Sequence, residues 1–206
     1  MRCIVPIVEG PGDMEALPIL LRRLLHERYQ RYEVEIARPK NAHGSGKLVK
    51  ELERFLAYAA TTPGCGSFLV LIDADEKCPK EMAESLAVRS KALGLDKPAA
   101  IVCAKSEFET WFLASLDTIR GRAAISETAR FTGVIESLRG AKEWLSDQMP
   151  PDRTYKETVD QPSLTPFIDL SLAHLNSRSF RRLCHAVEQL LAAMDSGLPV
   201  VTPLSG

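Results

Sequence analysis

Three short runs of apolar residues constrain the fold of this chain more than any other feature of its sequence. They cover residues 3–8, 67–72 and 99–104, and few polar side chains interrupt them. Strands with one wet face alternate apolar and polar residues, whereas continuous apolar runs are typical of strands covered on both faces. The runs therefore predict a parallel sheet that is buried between layers of helices.

Segments with helical spacing separate the apolar runs. Leucines recur at helical intervals over residues 17–25, with arginines on the opposite side, and residues 48–60 and 79–93 are also helical in pattern. Residues 32–37 alternate apolar and charged side chains, which indicates a strand near a sheet edge. This β-α-β order predicts an α/β domain over residues 1–115, with a parallel four-stranded sheet flanked by helices.

Residues 116–206 have a different texture, and we interpret them as a helical extension that packs on the α/β domain. With 206 residues and 45% hydrophobic content, the chain has enough apolar material for a core of this size. A polar loop is predicted over residues 150–158. Helices are predicted at residues 126–139, 141–149, 164–175 and 179–194.

The cysteines and the hydropathy pattern indicate a cytoplasmic protein. The five cysteines are scattered and form no C-x-x-C pair, so they are expected to be reduced thiols rather than zinc ligands. The N-terminal segment has the features of a strand and not of a signal peptide. No apolar stretch approaches the roughly 20 residues that a membrane-spanning helix requires, so no membrane association is expected.

Each of the three apolar runs is followed by carboxylates. Glu9 follows the first run, Asp73 and Asp75 follow the second, and Glu107 and Glu109 follow the third. Ligands of parallel sheets bind at the carboxyl ends of the strands, so we expect these side chains at one edge. Asp73 and Asp75 are two residues apart, and in extended geometry their side chains point the same way.

A cluster of carboxylates without histidine or cysteine predicts a Mg²⁺ or Mn²⁺ site. Clustered carboxylates repel one another unless a cation lies between them, and oxygen ligands favour these ions over Zn²⁺. The predicted ligands are Glu9, Asp73, Asp75, Glu107 and Glu109. If a helix has begun at Glu107, its side chain and that of Glu109 diverge, and we favour Glu107 because it lies nearer the strand end.

Asp13 has a simpler interpretation. It follows the turn residues Gly10, Pro11 and Gly12 and precedes a segment with helical spacing. Aspartates at such positions commonly cap helices, and Asp13 is predicted to do only that.

The order of these motifs resembles the Toprim domain of topoisomerases, primases and recombination-associated nucleases. Val8-Glu9-Gly10 ends the first strand, and Asp73-Ala74-Asp75 ends the third. Ser106-Glu107 is similar to the extra acidic element of the overcoming-lysogenization-defect nucleases. The whole chain also resembles a family of small bacterial Toprim-like proteins without a settled activity, through Glu9-Gly10-Pro11-Gly12-Asp13, Asp73-Ala74-Asp75-Glu76, Glu107-Phe108-Glu109-Thr110-Trp111-Phe112, Tyr155-Lys156-Glu157-Thr158, Asp160-Gln161 and Ser179-Phe180.

The resemblance implies a Toprim-like, Rossmann-like fold and a Mg²⁺-dependent activity. It implies that Glu9 acts as general acid or base and that Asp73 and Asp75 hold Mg²⁺, with Glu107 as a second catalytic candidate. Mg²⁺ neutralises a phosphodiester and activates water, and a neighbouring carboxylate can move the proton. The predicted function is hydrolysis or transfer of phosphodiesters in nucleic acid, in phage defence or DNA repair.

Two alternatives stay open at this point. One is a non-catalytic metal-binding module that recognises nucleic acid or a partner ATPase. A separate ATPase subunit is considered because the chain has no Walker motif of its own. A phosphatase of the haloacid dehalogenase type also carries D-x-D after a strand. There the pair ends the first strand, whereas Asp73 follows the third predicted one. The sequence does not distinguish DNA from RNA and does not indicate the oligomeric state.

Contacts with nucleic acid are predicted at four residues. The formal net charge is −1, so local cations and metal ions must supply the attraction. Lys47 follows Gly44-Ser45-Gly46, which is either a flexible loop or a phosphate contact at the sheet edge. Lys105 either steadies a phosphate or pairs with Glu107. Tyr155 and Lys156 lie in the polar loop and are predicted to face the substrate.

Overall fold

The computed structural model describes residues 2–203 and contains a parallel sheet with helices on both faces. The four predicted strands are confirmed, and the described residues contain two further short strands. The strands are β1 (Arg2–Val8), β2 (Val34–Ile36), β3 (Lys40–Asn41), β4 (Cys65–Asp73), β5 (Ala99–Ala104) and β6 (Val201–Thr202).

The strand order is β2-β1-β4-β5-β6, and β3 also pairs with β1. All pairings are parallel, so the carboxyl ends of β1, β4 and β5 lie at one edge of the sheet. Asp73, the last residue of β4, is in register with Ala104, the last residue of β5. The strand ends that carry the predicted carboxylates are therefore neighbours in space.

Alternate residues of the central strands point to opposite faces of the sheet and pack into two separate apolar cores. Leu69 and Leu71 of β4 face one core, whereas Phe68, Val70 and Ile72 face the other. This alternation follows from the two-residue period of a strand. Because both faces are covered, the strand carries no polar side chain between Phe68 and Ile72, which explains the continuous apolar runs.

Ten α-helices are described, and a π-helical turn at Leu24–Arg28 follows the first of them. They are α1 (Pro11–Arg23), α2 (Ser45–Lys50), α3 (Leu52–Ala60), α4 (Pro79–Ala92), α5 (Thr110–Ala114), α6 (Leu116–Ile119), α7 (Ala141–Asp147), α8 (Glu157–Leu164), α9 (Leu170–Asn176) and α10 (Arg178–Ser196). Helices α2, α3 and α4 cover one face of the sheet, and α1 packs on the other face with α5 and the later helices. In the described part of the chain, no helix is long and apolar enough to cross a membrane.

The region after residue 115 differs in three places from the predicted helical extension. The helix predicted at residues 126–139 is wrong: this segment is irregular, with a 3₁₀ turn at Ile135–Ser137. The helix predicted at 164–175 is interrupted by a 3₁₀ turn at Thr165–Phe167, and Asp169 caps a new helix through its side chain. The last described residues are not helical, since β6 adds a strand beside β5.

The C-terminal helices pack closely on the α/β unit. Helix α10 lies against β5, and α8 lies along α1. The Trp111 and Phe180 rings meet edge to face at 5.5 Å, and the Trp111 indole donates a hydrogen bond to the Ser179 hydroxyl at 3.0 Å. Both parts of the chain thus share one apolar core.

Candidate functional site

The candidate site lies where β1, β4 and β5 end. Glu9 directly follows β1, and its Oε2 atom is 3.4 Å from the backbone nitrogen of Asp73, which donates a hydrogen bond to it. The pairing of β4 with β5 continues one residue beyond the end of β4, because the Ala74 amide donates a hydrogen bond to the Ala104 carbonyl at 3.0 Å. The edge therefore holds Glu9 and Asp73 in adjacent positions.

Asp73 lies at the centre of this group of carboxylates. Its Oδ1 atom accepts a hydrogen bond from the backbone N–H of Phe108 at 3.1 Å, which links the end of β4 to the segment after β5. Burial raises the pKa of Asp73 well above its usual range, and the charges of Asp13, Glu109 and Glu9 raise it further. Four carboxyl groups therefore lie near enough to one another for their negative charges to repel.

Asp13 is a member of the group that the sequence did not indicate. The N-cap of α1 is Gly10, and Asp13 lies in the first helical turn with only 8% of its surface exposed. The side-chain amide of Gln161 donates to its Oδ1 atom at 2.8 Å. Burial raises the pKa of Asp13, and the hydrogen bond from Gln161 partly offsets the effect. The prediction that Asp13 caps the helix is therefore wrong, because Gly10 is the N-cap and Asp13 lies inside the first turn.

The structure gives Glu107 and Glu109 different surroundings. Glu109 is 1% exposed, and its Oε1 atom accepts a hydrogen bond from the Tyr155 hydroxyl at 2.9 Å. Glu107 is half-buried, and its Oε2 atom accepts from the backbone N–H of Lys142 at 3.2 Å. A turn joins the Glu107 carbonyl to the Thr110 amide, and the charge of Glu109 raises the pKa of Asp73.

Glu109 has one oxygen without a hydrogen bond. Its Oε2 atom is buried and has no hydrogen-bond partner among the described residues, and the nearest cationic atom is Lys142 Nζ at 4.0 Å. Burial raises the pKa of Glu109 to about 8, although Lys142 opposes the shift. A buried carboxylate oxygen without a partner is costly and therefore favours a cation.

Lys142 supplies the positive charge at the centre of the site. It lies in α7, forms an ion pair with Glu157 and approaches Glu109. Although burial opposes a charged lysine, the carboxylates of Glu109 and Glu157 raise the pKa of Lys142. Its charge also lowers the pKa of Glu9 and Asp73. Lys142 was not among the predicted site residues, because no spacing in the sequence connects it to the strand ends.

Asp75 does not continue the extended geometry that was predicted. Its φ of 48° places it in a turn after β4, its side chain is exposed, and its amide donates to the Ser106 carbonyl at 3.1 Å. The predicted parallel orientation of Asp73 and Asp75 is therefore wrong. Asp75 still lies close enough for its charge to raise the pKa of Glu9.

Burial gives Glu9 the properties of a group that exchanges protons near neutrality. Burial raises the pKa of Glu9 to about 7, and the neighbouring charge of Asp13 adds to the effect. The bond from the Asp73 amide opposes this shift. A carboxylate with such a pKa is suited to accept and return a proton at neutral pH.

The four residues predicted to contact nucleic acid have different surroundings. Tyr155 is buried against Glu109 and does not face solvent, which corrects its prediction as a surface contact. Lys156 and Lys47 are exposed, and Lys105 is half-buried without an ion pair to Glu107. The loop before Lys47 reaches the site, because the Gly44 amide donates to the Glu9 carbonyl at 2.7 Å.

The donor set suits Mg²⁺ or Mn²⁺, but the side chains do not yet form a closed metal site. Within residues 2–203, no three histidine, cysteine, aspartate or glutamate side chains converge closely enough to hold a metal ion. Three features nevertheless favour binding of a divalent cation. The donors are oxygen atoms, the group carries excess negative charge, and the Oε2 atom of Glu109 has no hydrogen-bond partner among the described residues. These residues fit a hard divalent cation if their side chains rotate towards it.

Comparisons with known proteins identify the family. No curated protein sequence matches the chain significantly. Among solved structures, the C-terminal region of the Burkholderia pseudomallei OLD protein is similar, with 15% sequence identity, a TM-score of 0.39, and coverage of 94% of this chain and 98% of that one. The family described as "Domain of unknown function (DUF4276)" matches residues 8–188, which include every carboxylate of the site. The chain therefore belongs to the DUF4276 family.

Proposed function

We propose that this protein binds Mg²⁺ at the carboxylates of the sheet edge and hydrolyses phosphodiester bonds in nucleic acid. The observation that carries the proposal is the excess of negative charge around Asp73. Glu9, Asp13, Asp73 and Glu109 share a site in which Lys142 is the nearest cation, and burial raises the pKa of each carboxylate. A divalent cation relieves this repulsion.

The metal ligands under this proposal are Asp73, Glu109, Asp75 and Glu9. When bound, Mg²⁺ supplies charge neutralisation of the phosphodiester and an acidified water. Glu9 accepts the proton of the attacking water, because its raised pKa matches neutral conditions. Glu107 stays a weaker candidate, since its carboxylate is held by the Lys142 amide.

Lys142 has a separate role in the proposed mechanism. Its ammonium group is held beside Glu109 by the ion pair with Glu157, and a lysine in this position can stabilise negative charge on a phosphate oxygen. Tyr155 orients Glu109 from the opposite side through its hydroxyl. The C-terminal part of the chain thus completes the site that the strand ends begin.

Nucleic acid is the proposed substrate class because exposed cations lie on segments that adjoin the site. Lys47 follows the loop that bonds to the Glu9 carbonyl, and Lys156 directly precedes α8. Under this proposal, both lysines contact backbone phosphates that flank the cleaved bond. A partner ATPase subunit and a role in phage defence are extensions of this proposal.

The proposal is tested by nicking of plasmid DNA and cleavage of RNA with Mg²⁺ or Mn²⁺. We compare the wild type with Asp73→Asn, Lys142→Met and the control Asp147→Asn, an exposed aspartate at the end of α7. We expect cleavage by the wild type and the control and a loss of about 100-fold or more in the other two. Equal cleavage by all four proteins contradicts the proposal, because the activity then belongs to a contaminant.

Calorimetry with Mn²⁺ separates binding from catalysis. Heat of binding with the wild type and none with Asp73→Asn supports the metal site even if no substrate is cleaved. Binding without cleavage supports instead the non-catalytic module, and the assay is then repeated with a candidate partner ATPase subunit added. No heat with the wild type contradicts both readings.

A further inference from the structure

A second site candidate lies on the other side of β5 from β4. A cavity of about 640 Å³ opens there between α4 and α10. Its floor is formed by Ile101, Val102 and Cys103 of β5, and its walls include Ala83 and Ala186. Cavities of a few hundred cubic ångströms with apolar walls are typical of small-molecule sites.

The cavity exists because β6 is shorter than β5. β6 pairs only with Ala99 and Ala100, whereas β5 continues to Ala104. The second half of β5 therefore has no strand on its outer side within residues 2–203. The flanking helices leave a space along this edge instead of closing over it.

Cations without ion pairs surround the opening. Arg178 and Arg182 lie one turn apart on α10, Lys105 follows β5, and none of the three has an ion pair in the described part of the chain. The acidic residues of the cavity are already engaged. Glu84 pairs with Lys80 at 3.7 Å, and Glu136 accepts hydrogen bonds from the Ser179 amide at 2.6 Å and the Ser177 hydroxyl at 2.8 Å.

The side chains that line the cavity also indicate what kind of molecule it could hold. Among the described residues, no phenylalanine, tyrosine or tryptophan lines the cavity, and His185 is its one aromatic side chain, so the walls offer little aromatic surface for base stacking. Thr202 lies in the wall, is 3% exposed, and its hydroxyl has no hydrogen-bond partner within residues 2–203. An aliphatic body with one charged end suits these walls better than a nucleotide does.

We propose that this cavity binds a small amphipathic anion, with an apolar body along β5 and a carboxylate or phosphate group at Arg178, Arg182 and Lys105. The cavity shares no lining side chain with Glu9, Asp13, Asp73, Glu109 or Lys142. The inference is therefore independent of the proposed hydrolysis, and either can fail without the other.

The test uses the fluorescent probe 1-anilinonaphthalene-8-sulfonate, which combines an apolar body with an anionic group. We expect saturable binding to the full chain and displacement by decanoate or decyl phosphate, but not by methyl decanoate. Displacement by only one of the two anions identifies the head group. Equal displacement by the uncharged ester contradicts the role of the cations, and displacement by neither anion overturns the proposal.

Variants locate the binding. The double variant Arg178→Gln with Arg182→Gln changes only exposed side chains, and we expect it to raise the Kd of the probe about tenfold or more. The matched control is Arg38→Gln with Arg130→Gln, two exposed arginines outside the cavity, which should leave the Kd unchanged. Ala186→Phe fills the cavity and should abolish binding. Equal Kd values in the wild type and the Arg178/Arg182 variant overturn the proposal.

Discussion

The side-chain amide of Gln161 donates a hydrogen bond to the carboxylate of Asp13 at 2.8 Å, and both side chains are buried. This bond joins α8 to the first turn of α1 beside the site. Gly12 allows the close approach, since a Cβ atom at this position would lie 3.0 Å from the Cβ atom of Glu157 and would collide with the Gln161 side chain. Helices α1 and α8 can therefore pack this closely only because residue 12 is a glycine and has no side chain.

Gly12→Ala should therefore destabilise the protein. We expect a loss of about 1–3 kcal/mol in the free energy of unfolding, because α8 must move or Gln161 must leave Asp13. Gly46→Ala is the control, since it adds a Cβ atom to a helix in open space and should stabilise by up to about 1 kcal/mol. Urea denaturation measures both values. A wild-type midpoint for Gly12→Ala would show that α8 adjusts without cost.

Asp73→Asn should raise stability while it removes metal binding. Asparagine keeps the oxygen that accepts from the Phe108 amide and removes the charge that Asp13, Glu109 and Glu9 oppose. We expect a gain of about 1 kcal/mol in a metal-free buffer, measured as a melting temperature higher by about 2–4 °C. The exposed Asp147→Asn is the control and should melt with the wild type. A lower melting temperature for Asp73→Asn would mean that Lys142 already balances the charge.

Stability without metal should fall as the pH rises from about 4.5 to about 8. Burial raises the pKa of Glu9 to about 7 and that of Glu109 to about 8, from ordinary values of 4.5. In this window the folded chain therefore holds protons that the unfolded chain has released. Because the folded state binds more protons, the free energy of unfolding falls as the pH rises. Below about pH 4.5 both carboxyl groups are protonated in the folded and the unfolded chain, so stability no longer changes with pH through these two groups.

Thermal unfolding in EDTA at a series of pH values checks this dependence. The melting temperature should be highest near the acidic end of the window, and Mg²⁺ should restore part of the loss at pH 8 by ligand binding. The Asp73→Asn variant should have a weaker pH dependence, because one of the interacting charges is gone. A melting temperature that rises with pH between 5 and 8 would contradict the charges proposed for this site.

Thr202→Val should cost little or no stability. The Thr202 hydroxyl is buried without a partner among residues 2–203, so its replacement by a methyl group removes an unsatisfied polar atom. Thr165→Val is the matched control, because the buried Thr165 hydroxyl donates to the Gln161 carbonyl at 2.7 Å. We expect a loss of about 1 kcal/mol for Thr165→Val only, measured by urea denaturation. Equal losses would mean that Thr202 has a partner in solution.

The sheet could be predicted because its strands have a strong local signal. Continuous apolar runs and the helices between them fix a parallel arrangement, and the carboxyl end of each run locates Glu9 and Asp73. The short strands β3 and β6 have only two residues each, and no pattern can mark a strand of that length. They form because neighbouring strands offer free hydrogen-bonding groups.

The contacts that Lys142 and Gln161 make at the site could not be predicted, for a different reason. Both come from the C-terminal region, and their distance to the strand ends is set by how α7 and α8 pack, which local periodicity does not encode. Glu107 was preferred to Glu109 on nearness along the chain. In the structure the Glu107 carboxylate accepts a hydrogen bond from the Lys142 amide, whereas the charge of Glu109 raises the pKa of Asp73.

The late position of Lys142, Tyr155 and Gln161 has a consequence for protein synthesis. A ribosome completes Glu9, Asp73 and Glu109 well before it adds the residues that hold them. A nascent chain that has just emerged to Trp111 therefore carries the acidic edge without its lysine and without α10 against β5. The order of translation thus delays assembly of the complete site until the second half of the protein has folded back onto the first.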